Sequence, residues 1–275
     1  MIAATPTQLI LESLRSAPLL IGDLPEAAVL DRSRLGSTGA CAVEPLRFDQ
    51  KLGHLYEQAL GRLLESSADF ELLASHLQVF AESGRTLGEL DFLMHDLVQD
   101  QYLHLELAVK FYLAVKGRDG WQFPGPDPRD NWQRKLDRLR RHQLQLSRLP
   151  ETRQLLRQRF GIDAIQTQQL IYGCLFLPMG QDAVPPLELF SPSARVGHWL
   201  YLSEWAQNFA GVEEVLLMDK PLWPVELSSQ AKRQFPVISV SRLHQFASER
   251  CTLFCLPDSP QPYFLAPPSW PGGIS

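Results

Sequence analysis

Acidic, histidine and lysine side chains recur at every second position in two neighbouring segments of the sequence. Residues 88–95 and residues 102–113 both alternate between polar and apolar side chains, the pattern of a β-strand whose side chains point to opposite faces in turn. If the two strands are neighbours, one face of the sheet carries several groups that could do chemistry. These groups are Glu89, Asp91, His104, Glu106 and Lys110.

Paired carboxylates on one face suit a hard divalent cation, Mg²⁺ or Mn²⁺, which prefers oxygen ligands. Such an ion can activate a water molecule and neutralise charge on a phosphodiester, and Lys110 can orient that water or stabilise the developing negative charge. The polar face of an antiparallel sheet is usually only solvated. Here Leu93 and Ala108 lie among the charges, which fits a cleft better than an open surface. The histidines His95 and His104 are expected at the surface or the core edge rather than as metal ligands.

The segments before these strands should position them. The apolar spacing predicts a helix from Arg47 to Leu64, a second short helix from Asp69 to Leu77 capped by Ser67, and a strand over residues 77–82. Short turns then join three consecutive strands, so we expect an antiparallel meander.

A basic helix is predicted after the glycine- and proline-rich loop at residues 117–130. It begins near Asp130 and buries a stripe headed by Trp132. Its other side carries candidate contacts to nucleic-acid phosphates, Arg134, Lys135, Arg138 and Arg141, with His142 beside them. An ordinary solvated helix face, partly neutralised by Asp130 and Asp137, is an equally good interpretation.

The two ends of the chain carry weaker patterns. Thr7 is predicted to cap an N-terminal helix through Leu14. After Pro150 we expect a helix ended by Gly161, strands over residues 170–177 and 215–218, and a hairpin through residues 257–260.

Composition limits the function classes. The net charge of −5 gives no global attraction to nucleic acid, so DNA or RNA binding requires a local basic patch. The four cysteines have no CxxC spacing and are expected to be reduced core thiols rather than zinc ligands. No leader or long apolar run is evident, so the sequence predicts a cytoplasmic protein without a membrane-inserted segment.

Short motifs resemble a known nuclease superfamily. The string GELDFL at residues 88–93 is similar to the GE(I/L)D strand of PD-(D/E)XK nucleases, including resolvase-like members, and a strand with Glu106 and Lys110 follows it. The helix with Gly53 and Glu57 resembles their first helix. Most of the chain also resembles a bacterial family of unknown function often placed in this superfamily, through HLELAVKFYL at residues 104–113 and GPDPRD at residues 125–130.

This resemblance implies a mixed α/β fold, a restriction-endonuclease-like core with a central mixed sheet flanked by helices. The predicted domains are a helical arm (residues 1–46), the nuclease-like core (residues 47–148) and a C-terminal α+β extension packed on that core (residues 149–275).

The resemblance also implies site residues. Asp91 would be the first metal carboxylate, Glu106 the second and Lys110 the catalytic lysine, with Glu57 contributed by the helix. The superfamily places its second carboxylate two residues before the lysine, where this chain has Ala108. Glu106 and Lys110 are about 13 Å apart along a regular strand. A bulge could shorten that gap, the acidic role could have migrated, or the site could be degenerate.

Three functions follow as alternatives. The first is an Mg²⁺- or Mn²⁺-dependent phosphodiesterase that cleaves DNA or RNA. The second is a catalytically inactive protein of the same fold that binds nucleic acid or serves as a scaffold, for which Ala108 is the main argument. The third is a protein-interaction module unrelated to nucleic acid, consistent with the acidic net charge.

Overall fold

One large mixed sheet organises the protein, seen here in a computed structural model that describes residues 4–36, 44–180 and 190–272. Within these ranges the strands are β1 (Ala28–Val29), β2 (Phe70–Phe80), β3 (Thr86–Asp96), β4 (Gln101–Leu113), β5 (Val115–Gly117), β6 (Gly120–Gln122), β7 (Gln166–Pro178), β8 (Val196–Tyr201), β9 (Glu214–Leu217), β10 (Val237–Ser239), β11 (Thr252–Cys255) and β12 (Pro262–Ala266). The main sheet has the order β10-β9-β11-β12-β8-β7-β4-β3-β2, with β1 beside β7, while β5 and β6 form a separate hairpin.

Helices cover the sheet and connect its strands. They are α1 (Pro6–Ser16), α2 (Leu52–Glu65), α3 (Trp132–Arg141), α4 (Pro150–Phe160), α5 (Trp205–Asn208), α6 (Ser229–Lys232) and α7 (Val240–Glu249). A 3-10 helix, Gln143–Arg148, joins α3 to α4. The expected mixed α/β fold with a large mixed central sheet and flanking helices is therefore confirmed.

The antiparallel meander β2-β3-β4 is also confirmed, but its first strand is longer than expected. The helix predicted over residues 69–77 is wrong, because this segment belongs to β2. The pairing of β2 with β3 shifts register between Leu72 and Ala74, a bulge that interrupts the period-two alternation. His76 has a positive φ of 53°, which also breaks the regular strand pattern. These irregularities make the apolar spacing of β2 imitate a helix.

Parallel pairing begins at β4. This strand pairs with β7 without interruption from Leu103, opposite Gln166, to Leu113, opposite Phe176. The intervening chain contains α4, which ends as predicted at Gly161 in the left-handed region. The sheet thus crosses residue 148, since β4 lies before that position and β7 after it.

The N-terminal helix is capped two residues earlier than predicted. Thr5, not Thr7, is its N-cap, because the Thr5 hydroxyl accepts a hydrogen bond from the Gln8 amide at 3.3 Å while the Gln8 side chain accepts from the Thr5 amide at 2.8 Å. Thr7 is buried, and its hydroxyl accepts from the Leu46 amide at 3.1 Å.

Hydrophobic cores lie on both faces of the sheet. On one face, α1 and α2 pack against apolar side chains of β4 such as Leu105. On the other face, Trp132, Leu136 and Leu139 of α3 pack against Tyr112. Because β4 is covered on both sides, polar side chains on its second face are held inside the protein rather than solvated.

The remaining predictions for the C-terminal half are confirmed in part. Strand β9 and the antiparallel pair β11–β12 lie where expected. Cys174, Cys251 and Cys255 are buried free thiols, and Cys41 lies outside the described residues. Across the described ranges, no helix combines the length and apolar character needed to span a bilayer.

Candidate functional site

Strands β3 and β4 separate in the middle of the sheet. Their paired residues are 92–96 of β3 and 101–105 of β4, and the pairing stops there. Beyond that point β3 stays with β2, while β4 continues with β7. We call this divergence the fork. The 3-10 helix 143–148 lies against it, and Gly88 allows the close approach, since a side chain there would meet the Leu146 Cδ2 at 2.8 Å.

Two predicted metal carboxylates lie at the apex of the fork. Leu93 pairs with His104, so Asp91 and Glu106, two residues further along each strand, share the same face at facing positions. The Leu107 amide donates a hydrogen bond to Asp91 Oδ2 at 2.9 Å. The structure therefore places Asp91 against the backbone of β4, next to Glu106.

The Glu106 side chain is held by two polar groups. His104 Nε2 lies 2.6 Å from Glu106 Oε1, and Gln143 Nε2 donates to Glu106 Oε2 at 3.3 Å. His104 and Glu106 are 0% and 1% exposed. His104 was expected at the surface or core edge, and that expectation is wrong because the second face of β4 is covered. Burial lowers the pKa of His104 to about 3, so its imidazole is neutral at pH 7.

Of the ion pairs between described residues, none joins Asp91 or Glu106 to a lysine or an arginine. Burial raises the pKa of Asp91 well above its usual value, with further increases from Glu106 and Glu57, against the lowering effect of the Leu107 amide. Burial also raises the pKa of Glu106, as do Glu57 and Glu89. Carboxyl groups in this state favour a proton or a cation over the free anion.

Glu57 reaches the same region from α2, between two histidines. His54 Nδ1 lies 2.9 Å from Glu57 Oε2, and His76 Nδ1 lies 3.7 Å from the same oxygen and 3.1 Å from Glu89 Oε1. Sequence reasoning missed both histidines. The three-residue step from His54 to Glu57 on one helix was a usable signal, whereas His76 was hidden by the wrong prediction for β2.

A cleft of about 750 Å³ connects these groups to the basic helix. Glu57, Glu89 and Asp91 line its acidic side. The opposite side is basic, and its lining residues include Lys110, Lys135, Arg138 and His142. Acidic and basic side chains therefore line one space.

Lys110 lies in this cleft but not with the carboxylates. The charges that act on its ammonium are those of Asp130, which raises its pKa, and Lys135, which lowers it, while burial has the largest effect and lowers it. Of the ion pairs between described residues, none includes Lys110. The structure thus brings Asp91 and Glu106 together and places Lys110 at the other end of the same cleft.

Only half of the predicted phosphate contacts face the cleft. Lys135 and Arg138 line it. Arg134 is exposed and donates to the Arg129 carbonyl at 2.6 Å, and Arg141 pairs with Asp137 at 2.7 Å. The stripe that faces the cleft is thus a single ridge of α3.

The donor set at the apex suits a hard cation in chemistry, because buried carboxylates with raised pKa gain most from a positive charge. Asp91 uses only its Oδ2 in a hydrogen bond. Among the residues that the structure describes, however, no three His, Cys, Asp or Glu side chains form a group that could hold a metal ion. Asp91 lines the cleft, whereas both oxygens of the buried Glu106 contact His104 and Gln143, and Glu57 lies between its two histidines.

Comparisons with known proteins give a family but no activity. No curated protein and no solved structure matches the chain. Residues 24–253 match the family described as a domain of unknown function, DUF1853. Because this match spans most of the sequence, the chain belongs to the DUF1853 family.

Proposed function

We propose that the protein is an Mg²⁺- or Mn²⁺-dependent phosphodiesterase acting on DNA or RNA, built on a PD-(D/E)XK-like core. The observation that carries this proposal is the cleft at the fork, where uncompensated carboxylates face a row of cationic side chains. Acidic groups with a strongly perturbed pKa in a cleft are candidates for a functional site.

The order of elements supports the same core. A helix with Glu57 precedes the antiparallel strands, Asp91 lies on β3, and Glu106 and Lys110 lie on β4. The spacing anomaly remains. Glu106 pairs with Gln169 and Lys110 with Gly173, four residues apart on both strands, so no bulge in β4 shortens the gap. The proposal therefore requires that the acidic role has migrated from position 108 to Glu106.

The residues divide the work between the two sides of the cleft. Asp91 and Glu106 would hold the divalent ion, which when bound supplies charge neutralisation and a more acidic water. Lys110, Lys135 and Arg138 bind phosphate oxygens and stabilise their negative charge. His104 and Gln143 fix the orientation of Glu106.

Cleavage assays with a matched variant test this function. Purified protein with Mn²⁺ is incubated with single-stranded, duplex and branched DNA and RNA. Asp91→Asn should lower the cleavage rate by at least about 100-fold, whereas Asp119→Asn, on the exposed turn between β5 and β6, should leave it unchanged. Cleavage that persists in Asp91→Asn at the wild-type rate, or that is absent from the wild type on every substrate, would refute the proposal.

A second candidate is a silent nucleic-acid-binding protein with the same cleft. It is favoured by Ala108 and by the engagement of both Glu106 oxygens by protein groups. It predicts salt-dependent binding without cleavage, weakened by Arg138→Met but not by Arg141→Met, since only Arg138 lines the cleft.

A further inference from the structure

Cationic side chains lie around Lys110 in the cleft. Lys110 is largely buried, and the ionised groups that act on it are Lys135 and Asp130. Lys135 Nζ lies 3.7 Å from Asp130 Oδ1, so this lysine is only loosely paired. Arg138 lies one turn further along α3 and lines the same cleft.

Two buried hydrogen-bond donors next to this charge have no partner. Trp132, which is 1% exposed, lines the cleft, and its indole Nε1 makes no hydrogen bond within the described part of the chain. The Tyr112 hydroxyl is in the same state, and the two rings lie 5.1 Å apart between centroids. Leaving a buried donor unpaired costs about 1–3 kcal/mol, so the Trp132 N–H, which is closed to solvent, would gain from an acceptor that entered the cleft beside it.

The charges at this end match a doubly charged anion. Three cations, Lys110, Lys135 and Arg138, and one carboxylate, Asp130, leave two positive charges. An internal phosphodiester carries one negative charge, whereas a terminal phosphomonoester carries close to two at pH 7. A monoester oxygen also accepts hydrogen bonds from both ammonium and indole donors.

We propose that Lys110, Lys135, Arg138 and Trp132 form a subsite for the terminal phosphomonoester of a nucleic-acid strand. The inference deepens the proposed function, because it makes the protein selective for phosphorylated strand ends. Lys110 then anchors the end of the substrate, while Asp91 and Glu106 at the fork mark the place of bond cleavage.

The location of Lys110 fits an anchor better than a water-activating base. Its backbone is fixed by β7, because Gly173 has a φ of +149° and a side chain there would meet the Lys110 carbonyl oxygen at 1.6 Å. This close approach fixes the backbone position of Lys110 at the cleft. Burial and Lys135 both lower its pKa, and a bound anion would offset that effect.

Binding of small phosphates tests the subsite without using cleavage. The probes are 5′-AMP, 3′-AMP, 3′,5′-cyclic AMP and adenosine, titrated into the full chain by calorimetry. At least one monoester should bind about tenfold more tightly than the cyclic diester, and adenosine should not bind. Lys110→Met and Trp132→Phe should each weaken that monoester about tenfold, whereas Arg141→Met should not, because Arg141 pairs with Asp137 and lines a different cavity.

Other outcomes would overturn the proposal. Equal affinity for monoester and diester would show that the site does not select a doubly charged phosphate. Unchanged affinity in Lys110→Met would show that Lys110 does not bind the phosphate. Thermal unfolding of each variant shows whether it is folded, and Lys135→Met, on the half-exposed ridge of α3, replaces Trp132→Phe if the latter is unfolded.

Failure of the subsite can be separated from failure of the enzyme. Asp91→Asn should lose cleavage but keep monoester binding, because Asp91 lies at the fork. If the wild type cuts oligonucleotides with and without terminal phosphates equally well, the phosphodiesterase proposal is supported and the subsite proposal is refuted. If monoesters bind as described but no substrate is cleaved, the subsite proposal is supported and the phosphodiesterase proposal is refuted.

Discussion

The two ends of the β3–β4 pair shift the pKa of their aspartates in opposite directions. At the hairpin end, Asp96 receives two hydrogen bonds from Arg34, at 2.7 and 2.6 Å, and backbone amides of the following turn donate to it as well. Its pKa falls to about 2, chiefly because of Arg34. At the fork end, the pKa of Asp91 rises because it is buried and because Glu106 and Glu57 lie near it, against the lowering effects of the Leu107 amide and His76.

The difference separates a carboxylate whose charge is compensated by an arginine from one whose charge is not. Arg34 also pairs with Asp69 at 3.0 Å and stacks over Phe70 at 4.4 Å, so the hairpin end is complete within the protein. The fork end is complete only with a proton or an added cation. Two aspartates five residues apart on one strand thus differ in pKa because of their surroundings. Only Asp91, whose pKa is raised, is a candidate for chemistry.

The largest expected effect is at the hairpin end. Arg34→Met removes the cation from a buried pair and leaves Asp96 uncompensated, which should lower the free energy of unfolding by about 3 kcal/mol. Urea unfolding at pH 7 followed by circular dichroism measures this. Lys110→Met is the matched comparison at the fork, and it should cost less than about 1 kcal/mol, because no ion pair of the described residues includes Lys110. Equal losses in the two variants would erase the distinction between the ends.

A smaller effect should appear in acid. The pKa of Asp96 is about 2 in the folded protein and 3.8 as its reference value, so the folded state binds fewer protons. The stabilisation, about 2 kcal/mol, is present above pH 3.8 and is lost as the pH falls toward 2. Unfolding free energies measured from pH 6 to pH 2 should therefore fall less steeply in Asp96→Asn than in the wild type. Parallel slopes would show that Arg34 does not hold Asp96 ionised.

The sequence was sufficient to find β3 and β4, because polar and apolar side chains alternate over residues 88–95 and 102–113, which cover most of both strands. It failed on β2, because a bulge and the positive φ of His76 break the alternation there. Local periodicity carries no information about a bulge, which depends on the partner strand.

The candidate site could also be predicted only in part. Parity along two strands placed Asp91 and Glu106 together, and the structure agrees. The position of Lys110 did not follow from parity, because continued pairing would have placed it opposite Leu87, and the fork prevents that pairing. Gln143 had no sequence signal, since it approaches Glu106 from a 3-10 helix distant in sequence.

The smallest effect, and the sharpest test of the comparison, is at the fork. Because the pKa of Asp91 is raised in the folded protein, protonation of this carboxyl group favours folding. Its contribution to stability is fully present below pH 3.8 and is lost as the pH rises through the folded-state pKa. Asp91→Asn removes the buried charge and keeps an oxygen for the Leu107 amide. Without divalent ions, this variant should be more stable than the wild type at pH 8 and equal to it at pH 4.

Manganese should reverse that order. A cation bound at Asp91 stabilises the wild type by about 2.7 kcal/mol at a hundredfold excess over its dissociation constant, and Asp91→Asn gains little because it offers a neutral amide. Thermal unfolding at pH 8 with and without Mn²⁺ therefore gives opposite rankings of the two proteins, while Asp119→Asn follows the wild type in both. A Mn²⁺ shift of equal size in Asp91→Asn would place the ion elsewhere, and the fork aspartate would then be as structural as Asp96.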